Sequence, residues 1–402
     1  MKTASAFNTS TNTVEALKNA YADLEQKLGG TPSWMTVHCT CQHSGDVITA
    51  TLEEVAPGVP FQGGTSCLGI MTEEGFHSDQ GISLGLFGIL DPDGIYSIGH
   101  AESKGKAYSR QAGNTAITNA LTKADRKKAP TIVWITCAPG DEEAILAGVE
   151  DGLGKANIPI IGGSSADNSV EGKWYQITNN QTLYNGVVVT VMYPSRPIRY
   201  AFDNSYIPTM HKGTITKASG RTVFEINHRP AADVYNEWTM GRIDEHLDGG
   251  NILSPSTLYP LGRTTVRAQG ATFYQLSHPE AVLKDRALSL FTKAESGEEI
   301  VLMESSTQDL IYRVNKVTSK ALGGKTLPIA APKSQIAGAL IIYCAGCMLA
   351  VQNEMQEVAN QFSKALGGQP FLGVHTFGEQ GCAFLGENTH ANLMMSMIIF
   401  EQ

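Results

Sequence analysis

Two cysteines separated by two residues, Cys344 and Cys347 in the stretch "IIYCAGC", are the side chains best suited to covalent chemistry. The stretch is typical of a buried strand that ends just before a helix, and a helix N-terminus stabilises a thiolate. Cys344 is therefore predicted to be a nucleophile or an anchor for a covalent ligand, with Cys347 beside it in the binding site. The alternative is a buried, small apolar residue, since free cysteine is among the most buried residue types.

His375 and Glu379 follow Cys344 within the same stretch of chain and complete a possible catalytic group. Cysteine enzymes pair the thiol with a histidine and often with a third, orienting residue. The two strands of a parallel β-helix-β unit bring their ends together, so the sequence predicts that Cys344 and the turn at 375–379 are neighbours. In that hypothesis Cys344 is the nucleophile, His375 the base, and Glu379 the orienting residue or acid.

Two other uses of these side chains stay open. A haem would need a proximal histidine or thiolate, and the sequence offers His278 and His375. The chain has no C-x-x-C-H motif, which excludes covalently attached c-type haem. No metal site is predicted, because a zinc site would need four ligands that only a meeting of distant stretches would supply. Those ligands would come from Cys39, Cys41, Cys344 and Cys347, with His38 or His43 in place of one cysteine.

Glycine-rich turns supply a second set of candidate binding residues. The stretches "PFQGGTSCLG" from Pro60 and "PIIGGSSADN" from Pro159 each place two glycines and two hydroxyl residues after a strand-like run. Glycine lets the backbone approach a ligand or a neighbouring strand closely, so these turns are predicted to line a pocket or to serve packing. The predicted binding residues are Gly63, Gly64, Thr65 and Ser66 in the first turn, and Gly162, Gly163, Ser164 and Ser165 in the second.

The elements that must position these residues repeat along the chain. Strand-like runs end at Cys41, Cys137 and Cys344, and each is followed by a turn, a helical stretch, and a proline that opens a second strand. The helical stretches are predicted at 46–58, 141–156 and 348–368. Such units normally give two parallel strands with a right-handed crossover. The predicted fold class is therefore α/β, with repeated β-helix-β units forming two related halves, either in one continuous sheet or in two packed sheets covered by helices (αββα).

The repeat pattern breaks between residues 194 and 215, which contain three prolines. We predict a boundary near residue 212, with an N-terminal half at 1–212 and a C-terminal half at 213–402.

The composition limits the classes of partner. The chain of 402 residues carries a formal net charge of −9 and no block of like charges, which argues against a nucleic-acid partner. The sequence contains no run of 18 apolar residues, so no membrane span is predicted. Seven cysteines without an export signal predict a cytoplasmic protein with reduced thiols.

Five stretches taken in order resemble the FIST family over nearly the whole chain. They are "GGTSCLG" (63–69), "PIIGGSSADN" (159–168), "GRTVFEINHRPAADVYNEW" (220–238), "IIYCAGC" (341–347) and "GVHTFGEQG" (373–381). The chain departs from the family's Cys-x-Gly-Arg-Gly pattern, because Cys347 stands where that pattern has arginine, a residue whose fork suits a carboxylate. It also departs from the Gly-Glu-Ile-Gly pattern, since Gln380 follows Glu379.

This resemblance implies an intracellular sensor of small ligands, with amino acids as the usual suggestion. It implies a partner protein such as a histidine kinase or a cyclic-nucleotide signalling enzyme, and some members are haem proteins that sense nitric oxide. A small-molecule sensor is therefore the expected function. An enzyme that uses Cys344 with His375 and Glu379, and a haem-based nitric-oxide sensor, are the alternatives.

Overall fold

The computed structural model of the chain describes residues 1–154, 156–179, 181–268, 271–323, 336–383 and 386–402. Its helices are α1 (Thr13–Leu28), α2 (Gly45–Val55), α3 (Ser109–Ala124), α4 (Glu142–Leu153), α5 (Ala231–Trp238), α6 (Leu253–Ser256), α7 (Thr307–Ala321), α8 (Ala345–Ala350) and α9 (Met355–Ala365). Among the described residues, no helix is both long enough and apolar enough to span a membrane.

Most strands of the first half are short, apolar and rich in β-branched residues. They are β1 (Lys2–Asn8), β2 (Trp34–Cys39), β3 (Phe61–Thr65), β4 (Ile70–Thr72), β5 (Gly75–His77), β6 (Leu84–Leu90), β7 (Ile95–Glu102), β8 (Ile132–Cys137), β9 (Ile160–Ser164), β10 (Gln176–Thr178), β11 (Gln181–Leu183), β12 (Gly186–Tyr193) and β13 (Ile198–Asp203).

The remaining strands follow in chain order. They are β14 (Ile207–Ser219), β15 (Thr222–Ile226), β16 (Arg229–Pro230), β17 (Gly250–Asn251), β18 (Leu261–Ala268), β19 (Ala271–Ser277), β20 (Pro279–Val282), β21 (Leu288–Leu290), β22 (Glu299–Glu304), β23 (Ile336–Cys344), β24 (Phe371–Thr376), β25 (Glu379–Cys382), β26 (Asn388–Ala391) and β27 (Met395–Glu401).

The repeated β-helix-β units are present, as the sequence predicts. Strands β2 and β3, β8 and β9, and β23 and β24 form three parallel pairs. In each pair a cysteine at the end of the first strand lies opposite a threonine or serine: Cys39 opposite Thr65, Cys137 opposite Ser164, and Cys344 opposite Thr376. The strand ends of the three units are therefore equivalent.

Three details differ from the expectation. The first strand ends at Cys39 and not at Cys41, because the Thr40 amide donates to Ser83 O and the chain then turns into α2. The helix predicted at 348–368 is two helices, α8 and α9, separated by a short turn at 351–354. Leu349, predicted on its apolar face, is 49% exposed. The boundary predicted near residue 212 falls in strand β14, and the division of the chain into 1–212 and 213–402 stays a prediction.

Each β-helix-β unit belongs to its own six-stranded sheet, and the three sheets share one core. The strand orders are β1-β6-β2-β3-β10-β11, β26-β25-β9-β8-β12-β7 and β13-β27-β23-β24-β4-β5. Trp34, Trp134 and Leu340, one from each sheet, are buried in the same apolar cluster. The chain is thus α/β with sheets covered by helices, and three sheets rather than two enclose the shared core.

The halves exchange strands instead of folding apart. Strands β4 and β5 from the first half extend the sheet of β24, while β25 and β26 from the second half extend the sheet of β9. A fourth, nine-stranded sheet runs in the order β17-β20-β21-β15-β14-β22-β18-β19, with β16 paired to β15, and has its own core beneath α5. This sheet brings α6, β20 and β21 close to the end of β23.

Candidate ligand-binding site

The turns that follow the three parallel strand pairs meet one another. The Cys67 amide donates to His375 O at 3.1 Å, and the Ala166 amide donates to Thr65 O at 2.9 Å. The Ser164 amide donates to Gly378 O at 2.8 Å, which completes the ring of contacts. The three strand ends therefore converge at one place in the molecule.

The paired glycines in these turns serve close packing of the backbone. A Cβ atom on Gly63 would lie 1.6 Å from Val37 O, and one on Gly162 would lie 1.9 Å from Ile135 O. A Cβ on Gly64 would lie 2.5 Å from Ser165 Oγ, and one on Gly163 would lie 2.5 Å from Thr376 Cγ2. These positions are glycine because a neighbouring strand or turn occupies the space that a side chain would need.

A cavity lies beside these turns, and most of its lining comes from outside them. It has a volume of about 600 Å³ and is bounded by the start of α4, by α6 and α8, and by β20 and β21. Its apolar wall consists of Pro139, Val170, Trp174, Leu253, Leu290, Phe291, Leu349 and Phe377. The predicted residues Gly63, Gly64, Thr65, Ser66, Gly162, Gly163, Ser164 and Ser165 are not part of this lining. Ser164 nevertheless donates a hydrogen bond to Glu142, which does line the cavity.

Glu142, the first residue of α4, is part of the cavity wall, and three hydrogen bonds hold its carboxylate in place. Its carboxylate accepts hydrogen bonds from Ser164 Oγ at 2.9 Å, the Gly140 amide at 3.0 Å and Arg221 Nη2 at 2.7 Å. Burial alone would raise the pKa of Glu142, but its electrostatic interactions with His390 and Arg221 outweigh burial and hold the pKa below its usual range. Glu142 is therefore a fixed carboxylate.

Arg221 ties this part of the wall to the nine-stranded sheet. Its Nη2 atom lies 2.8 Å from Glu143 Oε2 as well as contacting Glu142, so both carboxylates share one guanidinium. Burial alone would raise the pKa of Glu143, but its electrostatic interactions with His390 and Arg221 outweigh burial and lower the pKa to about 2. The positive charge of Arg221 is thereby already matched within the protein.

Glu280 offers a different kind of charge to the cavity. Its carboxylate accepts a hydrogen bond from Ser289 Oγ at 2.9 Å. Among the described residues, no basic side chain forms an ion pair with it. Glu280 therefore presents an unmatched negative charge to a bound molecule, whereas Lys106 at the cavity rim is an exposed cation.

Cys344 and His278 lie together on the opposite wall, where α8 begins. Both line the cavity, and a Cβ atom on Gly346 would lie 3.6 Å from Cys344 Sγ and 3.4 Å from His278 Cε1. His278 Nε2 donates to Leu253 O at 3.1 Å. Burial lowers the pKa of His278 to about 4, so the ring is neutral. Burial, followed by the hydrogen bond to Cys347, raises the pKa of Cys344 well above its ordinary value.

His375 is not brought to Cys344. In the parallel pair β23–β24, His375 lies opposite Tyr343, and Thr376 lies opposite Cys344. Since side chains alternate along a strand, His375 points to the other face of the sheet. There its Nδ1 atom donates to Cys67 O at 3.0 Å and its ring packs against Tyr343. The expected contact between Cys344 and a His375 base is therefore absent.

Glu379 lies closer to the expected position. Its carboxyl group accepts hydrogen bonds from Thr376 Oγ1 at 3.1 Å and the Met394 amide at 3.0 Å. Burial raises the pKa of Glu379 well above its ordinary value, which favours the protonated carboxyl. Thr376, which donates to Glu379, lies opposite Cys344 in the pair β23–β24, so one residue separates the two groups. Its role as an acid or orienting residue stays a prediction.

The candidate ligands for haem and for zinc do not form a complete set among the described residues. His278 Nε2 donates to the Leu253 carbonyl group, and His375 lies outside the cavity lining. Cys39 contacts the Tyr175 hydroxyl at 3.1 Å, far along the chain from the Cys344 wall. Within the described ranges, no group of three or more histidine, cysteine, aspartate or glutamate side chains is placed to hold a metal ion. The described residues therefore offer no zinc site, and an iron bound through His278 Nε2 would have to replace the hydrogen bond to Leu253.

The sequence hypothesis missed Glu142, Arg221 and Glu280. A partial signal exists for Glu142, because it follows the strand that ends at Cys137, and ligands in α/β proteins tend to bind beyond such strand ends. Arg221 and Glu280 reach the cavity only through the nine-stranded sheet, which has no counterpart in the repeated units.

Comparison with known families identifies the chain. The FIST N domain matches residues 33–229 and the FIST C domain matches residues 231–382. The chain therefore belongs to the FIST family, as the five sequence stretches indicate. FIST domains are associated with small-ligand sensing in signalling proteins.

Two further similarities are weaker. An uncharacterized protein of Methanocaldococcus jannaschii is 33% identical over 88 residues, which are 22% of this chain and 17% of that protein. The chain thus matches less than a fifth of the length of that relative. The crystal structure of a cyanuric acid hydrolase from A. caulinodans aligns over 100% of both chains with a TM-score of 0.38 and 10% identity.

Proposed function

We propose that this FIST protein is a sensor that binds a small molecule in the cavity between α8 and the nine-stranded sheet. The observation that carries the proposal is the cavity itself, about 600 Å³ in volume, with a mostly apolar wall and a few converging polar groups. Small-ligand sites generally have this composition, because apolar contacts supply affinity and fixed polar groups supply orientation.

The charges of the wall favour a ligand with an apolar body and an ammonium group. Trp174 and Phe377 pack edge to face with ring centroids 5.9 Å apart and provide an aromatic surface for the body. Glu280 is the unmatched carboxylate, whereas Arg221 is already held by two carboxylates. Amino acids and simple amines satisfy these requirements, and Lys106 at the rim could receive an amino-acid carboxylate.

The proposed output is a change in a partner protein, such as a histidine kinase or a cyclic-nucleotide signalling enzyme. The cavity joins two bodies of the fold, since Glu142 comes from α4 and Arg221 from the nine-stranded sheet. A ligand that contacts both walls would fix their relative position, which is the kind of change a partner can recognise. All seven cysteines are free thiols, which supports a cytoplasmic, reducing location.

A set of three matched probes tests the ligand class. We expect 2-phenylethylamine and L-phenylalanine to bind and raise the melting temperature, and 3-phenylpropionate to have no effect, because only the first two carry an ammonium group. Glu280→Gln should weaken amine binding by at least about tenfold, which is the loss expected for one charge-assisted hydrogen bond. Isothermal titration calorimetry measures the binding of each probe and the loss of affinity in Glu280→Gln, and thermal unfolding measures the melting temperature.

Two further variants serve as controls. Ser254→Trp should fill the cavity from its rim and abolish binding of both probes, since Ser254 lines it. Glu245→Gln removes an exposed carboxylate from a position outside the cavity lining and should leave affinity unchanged. Equal binding of all three probes, or binding that survives Ser254→Trp, would show that this cavity is not the sensing site.

A further inference from the structure

Cys344 and Cys347 form a thiol pair in the wall of the cavity. Cys344 lines the cavity, and Cys347 lies three residues later in α8, completely buried. Residues three apart on a helix lie on the same face, with Cβ atoms about 5–6 Å apart. Cys344 is the N-cap residue of α8 and Cys347 is the third residue of that helix, and side chains at these two positions approach each other across the first turn. They are therefore close enough that small side-chain rotations would allow a disulfide bond.

Arg313, from α7, makes the buried member of the pair unusual. Its Nη1 atom lies 3.4 Å from Cys347 Sγ and donates to Leu393 O at 3.0 Å, and its guanidinium stacks over the Tyr343 ring at 4.2 Å. The guanidinium is 2% exposed, and its Nε and Nη2 atoms have no hydrogen-bond partner among the described residues. A buried cation in this setting favours a negative charge on the sulfur beside it.

The state of Cys347 follows from these neighbours. Burial opposes ionisation, but the hydrogen bond from Cys344 and the Arg313 charge outweigh it and lower the pKa of Cys347 to about 6. The pair thus consists of a thiol that faces the cavity and a thiolate behind it. The guanidinium comes from α7 and the two sulfurs from the start of α8, so the pair depends on the packing of these two helices.

We propose that Cys344 and Cys347 are a redox-active pair that exchanges with small organic disulfides entering the cavity. In the first step the Cys347 thiolate accepts the proton of Cys344, whose sulfur attacks the organic disulfide. The sulfur–sulfur bond of the organic molecule breaks, and a mixed disulfide forms on Cys344. The departing thiolate takes the proton from Cys347.

In the second step the Cys347 thiolate attacks the Cys344 sulfur and releases the second organic thiolate. The two protein sulfurs are oxidised to one disulfide, and the organic disulfide is reduced to one thiol and one thiolate. Arg313 then loses its anionic neighbour, and the cavity wall loses a free thiol. Oxidation would in this way change the wall that a sensed molecule contacts.

The test treats the full chain with bis(2-hydroxyethyl) disulfide, blocks remaining thiols with N-ethylmaleimide, and maps the cysteines by peptide mass spectrometry. We expect Cys344 and Cys347 to escape alkylation and their peptide to lose the mass of two hydrogen atoms. In Cys347→Ser the second step is blocked, so a mixed disulfide should accumulate on Cys344. Cys344→Ser should leave Cys347 reduced, because the buried thiolate cannot reach the probe.

Cys41→Ser provides the matched control, since Cys41 is partly exposed and is not part of the cavity lining. This variant should form the same internal disulfide as the unmodified chain. Modification at Cys41 alone, or an unchanged reaction of Cys347 when Cys344 is replaced, would overturn the proposal. The assay contains no sensed ligand, so its failure leaves the proposed sensor function untouched.

Discussion

Gly63→Ala is expected to lower the free energy of unfolding by at least about 3 kcal/mol, the upper part of the usual range for overpacking. The added Cβ atom would lie 1.6 Å from Val37 O. Val37 O is a backbone atom of β2, and the position of the new Cβ is fixed by the backbone of β3. No side-chain rotation can therefore relieve the clash. The strands must separate, which would break hydrogen bonds at the place where the three turns converge.

Urea unfolding followed by circular dichroism measures this loss. Gly162→Ala should behave in the same way, because its Cβ would lie 1.9 Å from Ile135 O in the equivalent unit. Gly30→Ala is the matched control, since its Cβ would meet Leu90 Cδ2 at an ordinary 3.6 Å. That control should change stability by no more than about 0.5 kcal/mol. Equal stabilities of Gly63→Ala and Gly30→Ala would contradict the packing role.

Acidification is expected to destabilise the protein strongly between pH 7.5 and pH 5, well above the range where most carboxylates titrate. Burial lowers the pKa of His38, His278 and His375 to about 4 in each case. In the unfolded chain a histidine has a pKa of about 6.5 and binds a proton that the folded protein excludes. Stability is therefore complete above pH 6.5 and falls as the pH decreases toward 4. Each such histidine would cost about 2 kcal/mol at pH 5.

Two carboxyl groups set the limits of this effect. The pKa of Glu143 is lowered to about 2, because its interactions with His390 and Arg221 outweigh burial. Glu143 therefore stabilises the folded protein at neutral pH, and this stabilisation is lost only as the pH falls below the pKa that Glu143 has in the unfolded chain. Glu379 acts in the opposite direction, because burial keeps its carboxyl protonated and its contribution weakens as the pH rises. The net loss at pH 5 is therefore smaller than the sum of the histidine contributions.

Comparison of variants isolates one histidine from this background. His375→Gln should reduce the difference in unfolding free energy between pH 7.5 and pH 5 by about 2 kcal/mol, whatever its effect at either pH alone. His228→Asn replaces an exposed histidine and should leave that difference unchanged. Urea titrations at the two pH values give the result, and the same pH difference in all three proteins would be incompatible with a buried, neutral His375.

Much of the fold follows from local sequence patterns. The strands that end at Cys137 and Cys344 are short, apolar runs, and the prolines at 159 and 370 come directly before β9 and β24. The repeated β-helix-β units and the α/β class could be predicted from them, because hydrophobic periodicity and turn residues act over a few neighbouring positions. The family could be identified for the same reason, since its motifs are short and ordered.

The candidate site depends on pairings that no local pattern specifies. Glu142 and Arg221 are 79 residues apart and meet only because the nine-stranded sheet lies over the end of β8. Arg313 of α7 reaches Cys347 of α8 although the two residues are 34 positions apart in the chain. Such contacts depend on how whole sheets pack, and a single sequence contains no measure of that packing.

The sequence by itself determined the kinds of element, the repeated unit, and the pairing of a cysteine strand end with a glycine turn within each unit. Only the tertiary structure decided which side chains of those turns face a cavity. His375 and Thr376 are neighbours in the chain, yet the register of β23 against β24 places only Thr376 opposite Cys344. One residue of register moves a side chain to the other face of a sheet, and register is decided by burial across the whole sheet.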